Sequence, residues 1–248
     1  MKLIVALLSL LCSNLWAQTK IEKNVPIKAG QRLVLQLDHP NVKIQTGDKP
    51  EVMITGTVSI NSGEHDSAFG FDVNTTSSEV NVVSSLKDKE NIPHRITIKK
   101  GDKEYYFKTA NFHDPEVQKF LAENGNDYAY RSTGIQVDIN LVVTVPHNIP
   151  VKVEAKYGII EVLSYDAALT LDAKYGGIDL TFPPAPKGRI TARSRYGEIL
   201  TNLDTKFDQV PPAGKGSKRG IEITANLGPG PEVVAESKYG NVYLRKSK

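Results

Sequence analysis

The sequence predicts an all-β protein: a parallel β-solenoid (β-helix) with one excursion that carries a short helix. Three observations carry that prediction. Apolar and polar residues alternate through most of the chain, the period of two that turns one face of a strand toward a core. A basic residue, Tyr and Gly recur together at Lys156-Tyr157-Gly158, Lys174-Tyr175-Gly176, Arg195-Tyr196-Gly197 and Lys238-Tyr239-Gly240. The tyrosines are 18, 21 and 43 residues apart, and a spacing of roughly 20 residues is what stacked coils show.

The N-terminus reads as an export signal. Lys2 precedes an apolar run over residues 3–11, and Leu15-Trp16-Ala17 leads into polar Gln18-Thr19-Lys20. This is the layout of a secretory signal peptide, cleaved after Ala17. The run is shorter than the roughly 20 apolar residues a bilayer crossing needs. An exported protein is expected, whether periplasmic, at the cell surface or secreted, with no transmembrane segment in the mature chain. Cys12 is the one cysteine; a lipid anchor there would call for a small residue before it, and Leu11 makes that the second reading. Without Cys12 the mature chain has no disulfide framework and no Cys-based metal site. The net charge of +3 over 248 residues lacks the clustered basic footprint of a nucleic-acid binder. After the signal peptide at 1–17, the length suits one large all-β domain over 18–248.

The chain then divides into three stretches. In the N-terminal strands, 25–82, Leu33, Leu35 and Leu37 alternate with polar neighbours, and Val42 and Ile44 resume after His39-Pro40-Asn41. Turn chemistry at Gly47-Asp48-Lys49-Pro50 precedes Val52, Ile54, Val58 and Ile60, with Gly56 a candidate bulge. Residues 84–134 form the excursion. Runs over 95–100 and 103–108 pair as a hairpin around Gly101-Asp102. Asp114 and Pro115 start a helix as N-cap and first helical residue, and Asn124-Gly125 ends it. The stretch 135–248 opens on the longest alternation, Ile135 to Val145, and then carries the repeats.

In register, each repeat has three alternating inward slots, Tyr, Gly, and an aliphatic pair. The copies begin at Val151, Leu169, Ile190 and Val233; a partial copy begins at Ile221. The template also fits 33–44, with His39 and Pro40 in the Tyr and Gly slots, and 71–82. Alternation places Tyr on the inward face, and Gly permits the bend that restores the face for the aliphatic pair. The small third slot (Ala155, Ala173, Ser194, Ser237) is read as room for the ring. Truncating Tyr175 to Ala is then expected to lower stability by roughly 3–5 kcal/mol.

These corners, with the signal peptide and the terminal segment KYGNVYLRK, resemble the bacterial "putative adhesin" family of β-strand-repeat envelope proteins, a domain of unknown function. The resemblance covers roughly 25–82 and 135–248. It implies an exported parallel β-solenoid, and it brings no catalytic residue to carry over.

Motifs of catalysis and cofactor binding are not found, and no cofactor is expected. The histidines His39, His65, His94, His113 and His147 form no HxH or HExxH pattern. His39 reads as a corner residue, and His113 as the neighbour of a helix cap. Gly214-Lys215-Gly216 and Gly228-Pro229-Gly230 lack the strand–loop–helix setting of a phosphate loop. The outward residues are more informative. Stacked in register, Lys156, Lys174 and Arg195, with Lys238 further along, form a candidate surface-binding stripe beside an acidic row of Glu154, Asp172 and Glu236. The expected function is a non-enzymatic, adhesin-like or structural envelope protein whose partner is an anionic envelope glycan or an envelope protein. The alternative is a carbohydrate-active β-helix enzyme, which calls for acids from neighbouring units in one cleft.

Overall fold

The structure, a computed structural model, describes residues 18–210 and 220–247. The predicted signal peptide, its cleavage point and the loop at 211–217 lie outside the described residues. The N-terminal strands are β1 (Thr19–Pro26), β2 (Arg32–Leu37), β3 (Asn41–Gly47), β4 (Glu51–Ile60), β5 (Phe69–Thr75) and β6 (Glu79–Leu86). The excursion holds β7 (Arg95–Lys100), β8 (Lys103–Phe107), helix α1 (Pro115–Asn124) and β9 (Tyr130–Gly134). The remainder comprises β10 (Val137–Pro146), β11 (Val151–Ala155), β12 (Ile160–Leu163), β13 (Leu169–Ala173), β14 (Ile178–Phe182), β15 (Arg189–Ser194), β16 (Ile199–Thr201), β17 (Asp208–Val210), β18 (Ile221–Asn226), β19 (Glu232–Ser237) and β20 (Val242–Lys246).

The protein is mostly β, with mixed, largely parallel sheets. An eight-stranded sheet runs β1-β4-β10-β3-β12-β14-β20-β16, and a nine-stranded sheet runs β17-β18-β15-β19-β13-β11-β2-β6-β5. Each repeat supplies one strand to each. Its inward slots, such as Leu33, Val153, Leu171 and Ala235, are fully buried in the nine-stranded sheet, and its aliphatic pair, such as Ile160 with Val162 or Val242 with Leu244, is buried in the other. Both sets belong to one core, because alternation gives each strand an apolar face that only a facing layer can cover.

The units do not stack in chain order. β13 pairs with β19 and β19 with β15, all parallel, and β14 pairs with β20, which pairs with β16. The last unit therefore lies between the second and third. The crossing that skips a rung is made by Pro183-Pro184-Ala185-Pro186-Lys187-Gly188, where three prolines each fix one backbone angle. A β-carbon on Gly188 would strike the backbone of Gly230 and Pro231, so this loop and Gly228-Pro229-Gly230 pass in direct contact.

Other expectations are corrected. Segment 71–82 is not a repeat: β5 and β6 form an antiparallel hairpin within one sheet, with Phe71 half-buried and Val73 exposed. The partial copy at Ile221 runs antiparallel to β15 as β18, since it lacks the aliphatic pair that would enter the second sheet. Gly56 is no bulge, for its pairing with Ile21 and Leu141 is continuous. It is Gly because the Asn140 backbone occupies the space of a side chain. The hairpin of β7 and β8 and helix α1 stand as expected, with the Asp114 side chain accepting from the Glu116 amide at 2.9 Å. The excursion has its own small core of Ile96, Ile98, Phe107 and Val117. Among the described residues, no helix is long and apolar enough to cross a membrane.

Candidate functional site

The recurring motif forms a stacked corner between the two sheets. The backbone ladder continues around it. The amides of Lys174 and Tyr175 donate to the carbonyls of Ala155 and Lys156 at 2.8 and 2.9 Å, and those of Lys238 and Tyr239 to Ala173 and Lys174 at 2.9 and 3.1 Å. Each corner therefore lies one strand spacing, ~4.8 Å, from the next.

The glycines face the neighbouring corner. A β-carbon on Gly158 would fall on the Pro40 carbonyl, one on Gly176 on the Gly158 carbonyl, one on Gly240 on that of Gly176, and one on Gly197 on that of Gly240. None of the four has a positive φ. The expectation of a special backbone angle is corrected: Gly is required for space. Pro40 can carry a ring because it opens the column. Beyond it the sheets continue as β6 and β10, which no corner joins. The third slot is small for the same crowding. Where it is Ser, its hydroxyl ties two corners together. Ser237 Oγ donates to the Gly176 carbonyl at 3.0 Å and accepts from the Gly240 amide at 2.9 Å. Ser194 repeats this with Gly240 and Gly197 at 3.2 and 3.0 Å.

The tyrosines face outward, and the inward reading of Tyr157, Tyr175, Tyr196 and Tyr239 is corrected. They are 45–49% exposed. The chain turns immediately after the third slot, so the alternation that would bury the ring is broken there. Their rings stack on one another instead. Successive centroids from Tyr157 through Tyr175 and Tyr239 to Tyr196 are 5.2, 5.2 and 5.0 Å apart, with planes within 11°. His39 lies against Tyr157 at 5.4 Å, and burial lowers its pKa.

Beside the rings runs the basic column, in the spatial order Lys156, Lys174, Lys238, Arg195. Each cation lies over its own tyrosine, at 5.0, 5.2, 5.1 and 5.5 Å from the ring centroid, a geometry in which the ring's negative face offsets crowding of like charges. Asp38 meets Lys156 at 3.2 Å and closes the column. The hydrogen bond and charge of Asp38 raise the Lys156 pKa.

The acidic row crosses the outer face of the nine-stranded sheet in the order Gln36, Glu154, Asp172, Glu236, Arg193. It does not pair with the basic column. Glu154 is held by Lys152 and Gln36 at 2.6 and 3.0 Å, which lower its pKa. Arg193 meets Glu222 and Glu236. Asp172 goes the other way: burial, then the charge of Glu154, raises its pKa. Asp38, Glu154, Asp172, Lys156 and Lys174 line an open depression of about 370 Å³. Sequence reasoning missed Asp38, whose position in the rung only the stacking reveals. His147 sits apart, joining Asp166 at 3.0 Å and Asp48 at 3.5 Å across three loops. Among the described residues, no three His, Cys, Asp or Glu side chains come together as metal ligands.

No protein-family model and no curated protein matches the chain. Among solved structures it matches a "putative cell adhesion protein" of Clostridium sporogenes, with a TM-score of 0.48 and 9% identity, covering 93% of this chain and 100% of that one. It also matches a "putative adhesin" of Bacteroides fragilis, with a TM-score of 0.21 and 10% identity, covering 93% and 98%.

Proposed function

We propose that this protein is a non-enzymatic, exported, adhesin-like component of the cell envelope, in which a parallel β-solenoid with one rung out of chain order presents the corner column to an anionic envelope glycan. The single observation that supports this reading is the column itself. Four cations stand at the strand spacing beside a row of phenol hydroxyls. A periodic row of charge suits a polymer with repeated anionic groups, since several weak contacts on one chain act together. It also implies a salt-dependent interaction, because exposed charges are screened.

The test replaces Lys156, Lys174, Lys238 and Arg195 with Ser and measures binding to an anionic envelope polysaccharide across a salt series. Binding that falls at least about tenfold supports the reading, and unchanged binding sinks it. Protease treatment of intact cells tests export to the surface; protection by the outer membrane excludes a surface adhesin.

A second reading rests on Glu154 and Asp172. Their pKa values are pushed in opposite directions, as the acid and base of a glycoside hydrolase require. Geometry weighs against it. The two carboxylates are directly paired neighbours on one sheet face, so a sugar chain would lie above both, whereas hydrolysis needs one on each side of the bond. Release of reducing ends from envelope polysaccharide, abolished in Asp172→Asn, would establish the enzyme instead.

A further inference from the structure

The excursion presents a second surface that neither the repeats nor the acidic row involves. Its three strands pair in the order β8-β7-β9. Alternation sends Ile96, Ile98, Tyr105 and Phe107 to one face, where they pack with Val117 and Phe120 of α1. It sends Thr97, Glu104, Tyr106, Tyr130 and Ser132 to the other. The registers confirm two cross-strand rows there, Tyr106-Thr97-Ser132 and Glu104-Lys99-Tyr130. The face without the helix is the floor of a cleft of about 300 Å³, and its walls are Ser59, Ser62, Gln136 and Asp138 from the main body.

The walls and floor are fixed to each other. Asn61, fully buried at the end of β4, donates to the Pro93 carbonyl at 2.8 Å and accepts from the Gln136 amide at 3.1 Å. The buried Arg95 guanidinium donates to the Asn61 carbonyl at 2.8 Å and pairs with Glu64. Asn61 and Ser62 both take left-handed backbone angles, an arrangement that non-glycine residues hold only when their surroundings impose it. The cleft is built in advance of any ligand.

Its chemistry is specific. The hydroxyls of Tyr106 and Tyr130 each donate to a different oxygen of Glu104 at 2.7 Å. These bonds hold both rings in place, yet the rings remain 53% and 43% exposed. Among the described residues, neither ring is stacked on another aromatic, unlike the corner tyrosines. An ionised carboxylate has about four acceptor sites; the tyrosines use two of those on Glu104, which lines the cleft. Asp138, Gln136 and the serine hydroxyls add acceptors. Among the described residues, the lining holds two carboxylates and no basic side chain, so the cleft disfavours an anion. It matches a ligand rich in hydroxyl donors with a weakly positive C–H face to lay on a tyrosine ring.

We propose that this cleft is a binding site for a neutral oligosaccharide, with Tyr106 and Tyr130 as stacking platforms and Glu104, Asp138 and Gln136 as hydrogen-bond partners of the sugar hydroxyls. The site is independent of the corner column, which meets anionic polymer with cations. Ring faces lead, because removing an aromatic platform forfeits contact area that no other residue supplies.

Isothermal titration calorimetry of the mature chain with cellotetraose, laminaritetraose, mannotetraose and chitotetraose tests it, with calcium alone as a separate titrant. At least one tetrasaccharide is expected to bind with a Kd below about 1 mM. Tyr106→Ala and Tyr130→Ala are each expected to weaken it about tenfold or more, and Tyr106→Phe, which keeps the ring, less than Tyr106→Ala. Serine in place of the four corner cations should leave it unchanged. Thermal melts of each variant separate lost binding from lost folding, and if one alanine variant unfolds the other carries the comparison. The proposal is overturned if no tetrasaccharide binds, if only calcium binds, or if the platform variants bind as well as the parent.

Discussion

Tyr175 and Gly176 are adjacent in the chain and opposite in their physics. The glycine faces the neighbouring corner, where the Gly158 carbonyl leaves no room for a β-carbon. The tyrosine faces solvent and touches mainly the rings above and below it. One column of the corner is dictated by packing; the other could hold many residues without loss of the fold. What a corner must be and what a corner can do are therefore written in neighbouring positions. Substitution should separate them.

The largest effect belongs to the inner column. Gly176→Ala forces a methyl group onto backbone, and neither strand can yield without parting the ladder. Stability should fall by about 3 kcal/mol or more, at the upper end for overpacking, read as a drop in denaturation midpoint. A fall below about 1 kcal/mol would mean the corners slide apart easily, and the contrast with Tyr175 would collapse. Ser237→Ala comes next. It removes a fully buried hydroxyl that serves both the Gly176 carbonyl and the Gly240 amide. About 1–3 kcal/mol should be lost, the cost of leaving buried partners unmet. Ala155 and Ala173 fill the same slot, so a loss near zero would show that water serves those corners equally well.

Tyr175→Ala tests the outer column. The expectation of a core-sized loss no longer holds for a ring that is 48% exposed. Two stacked partners remain as its main contribution, and each such pair contributes about 0.5–1.5 kcal/mol beyond burial. The loss should be about 1–3 kcal/mol, below that of Gly176→Ala in the same denaturant titration. A loss as large as the glycine's would return the ring to the core.

The same contrast explains what the sequence could disclose. The alternation of Val151, Val153 and Ala155 and of Ile160 and Val162 marked strands, burial and a shared core, because inward slots obey periodicity. The cap at Asp114 and Pro115 marked the helix, because capping is local chemistry. Alternation misplaces Tyr157 because the ring lies in the turn that follows Ala155, where the period of two no longer holds, and nothing in the residue type distinguishes a buried ring from a stacked one. Rung order was illegible for a different reason: four units with one template fit each other equally well. A hint lay in the proline-rich crossing at 183–188, which is stiff where a simple return to the next rung would not need to be. The Glu104 cleft was hidden too, since Tyr106 and Tyr130 are brought together only by the pairing of β8 and β9 across β7.

The smallest expected effect concerns the outer face of the nine-stranded sheet. Asp172 has a pKa raised by burial and by the neighbouring charge of Glu154, with Lys152 opposing. The folded protein therefore holds this proton more tightly than the unfolded chain. Its favourable contribution to stability is complete below the ordinary aspartate pKa of about 4, and is lost as pH rises through the raised value. At neutral pH the ionised carboxylate works against the fold. Asp172→Asn should accordingly be slightly more stable than the parent at pH 7, by no more than about 0.5 kcal/mol for so open a position. That advantage should vanish near pH 3 in parallel thermal melts. If it persists at low pH, the carboxylate's charge is not the cause. If the variant is instead less stable at pH 7, the ionised Asp172 is held by attraction, and charge supports the outer face where space alone dictates the glycine column.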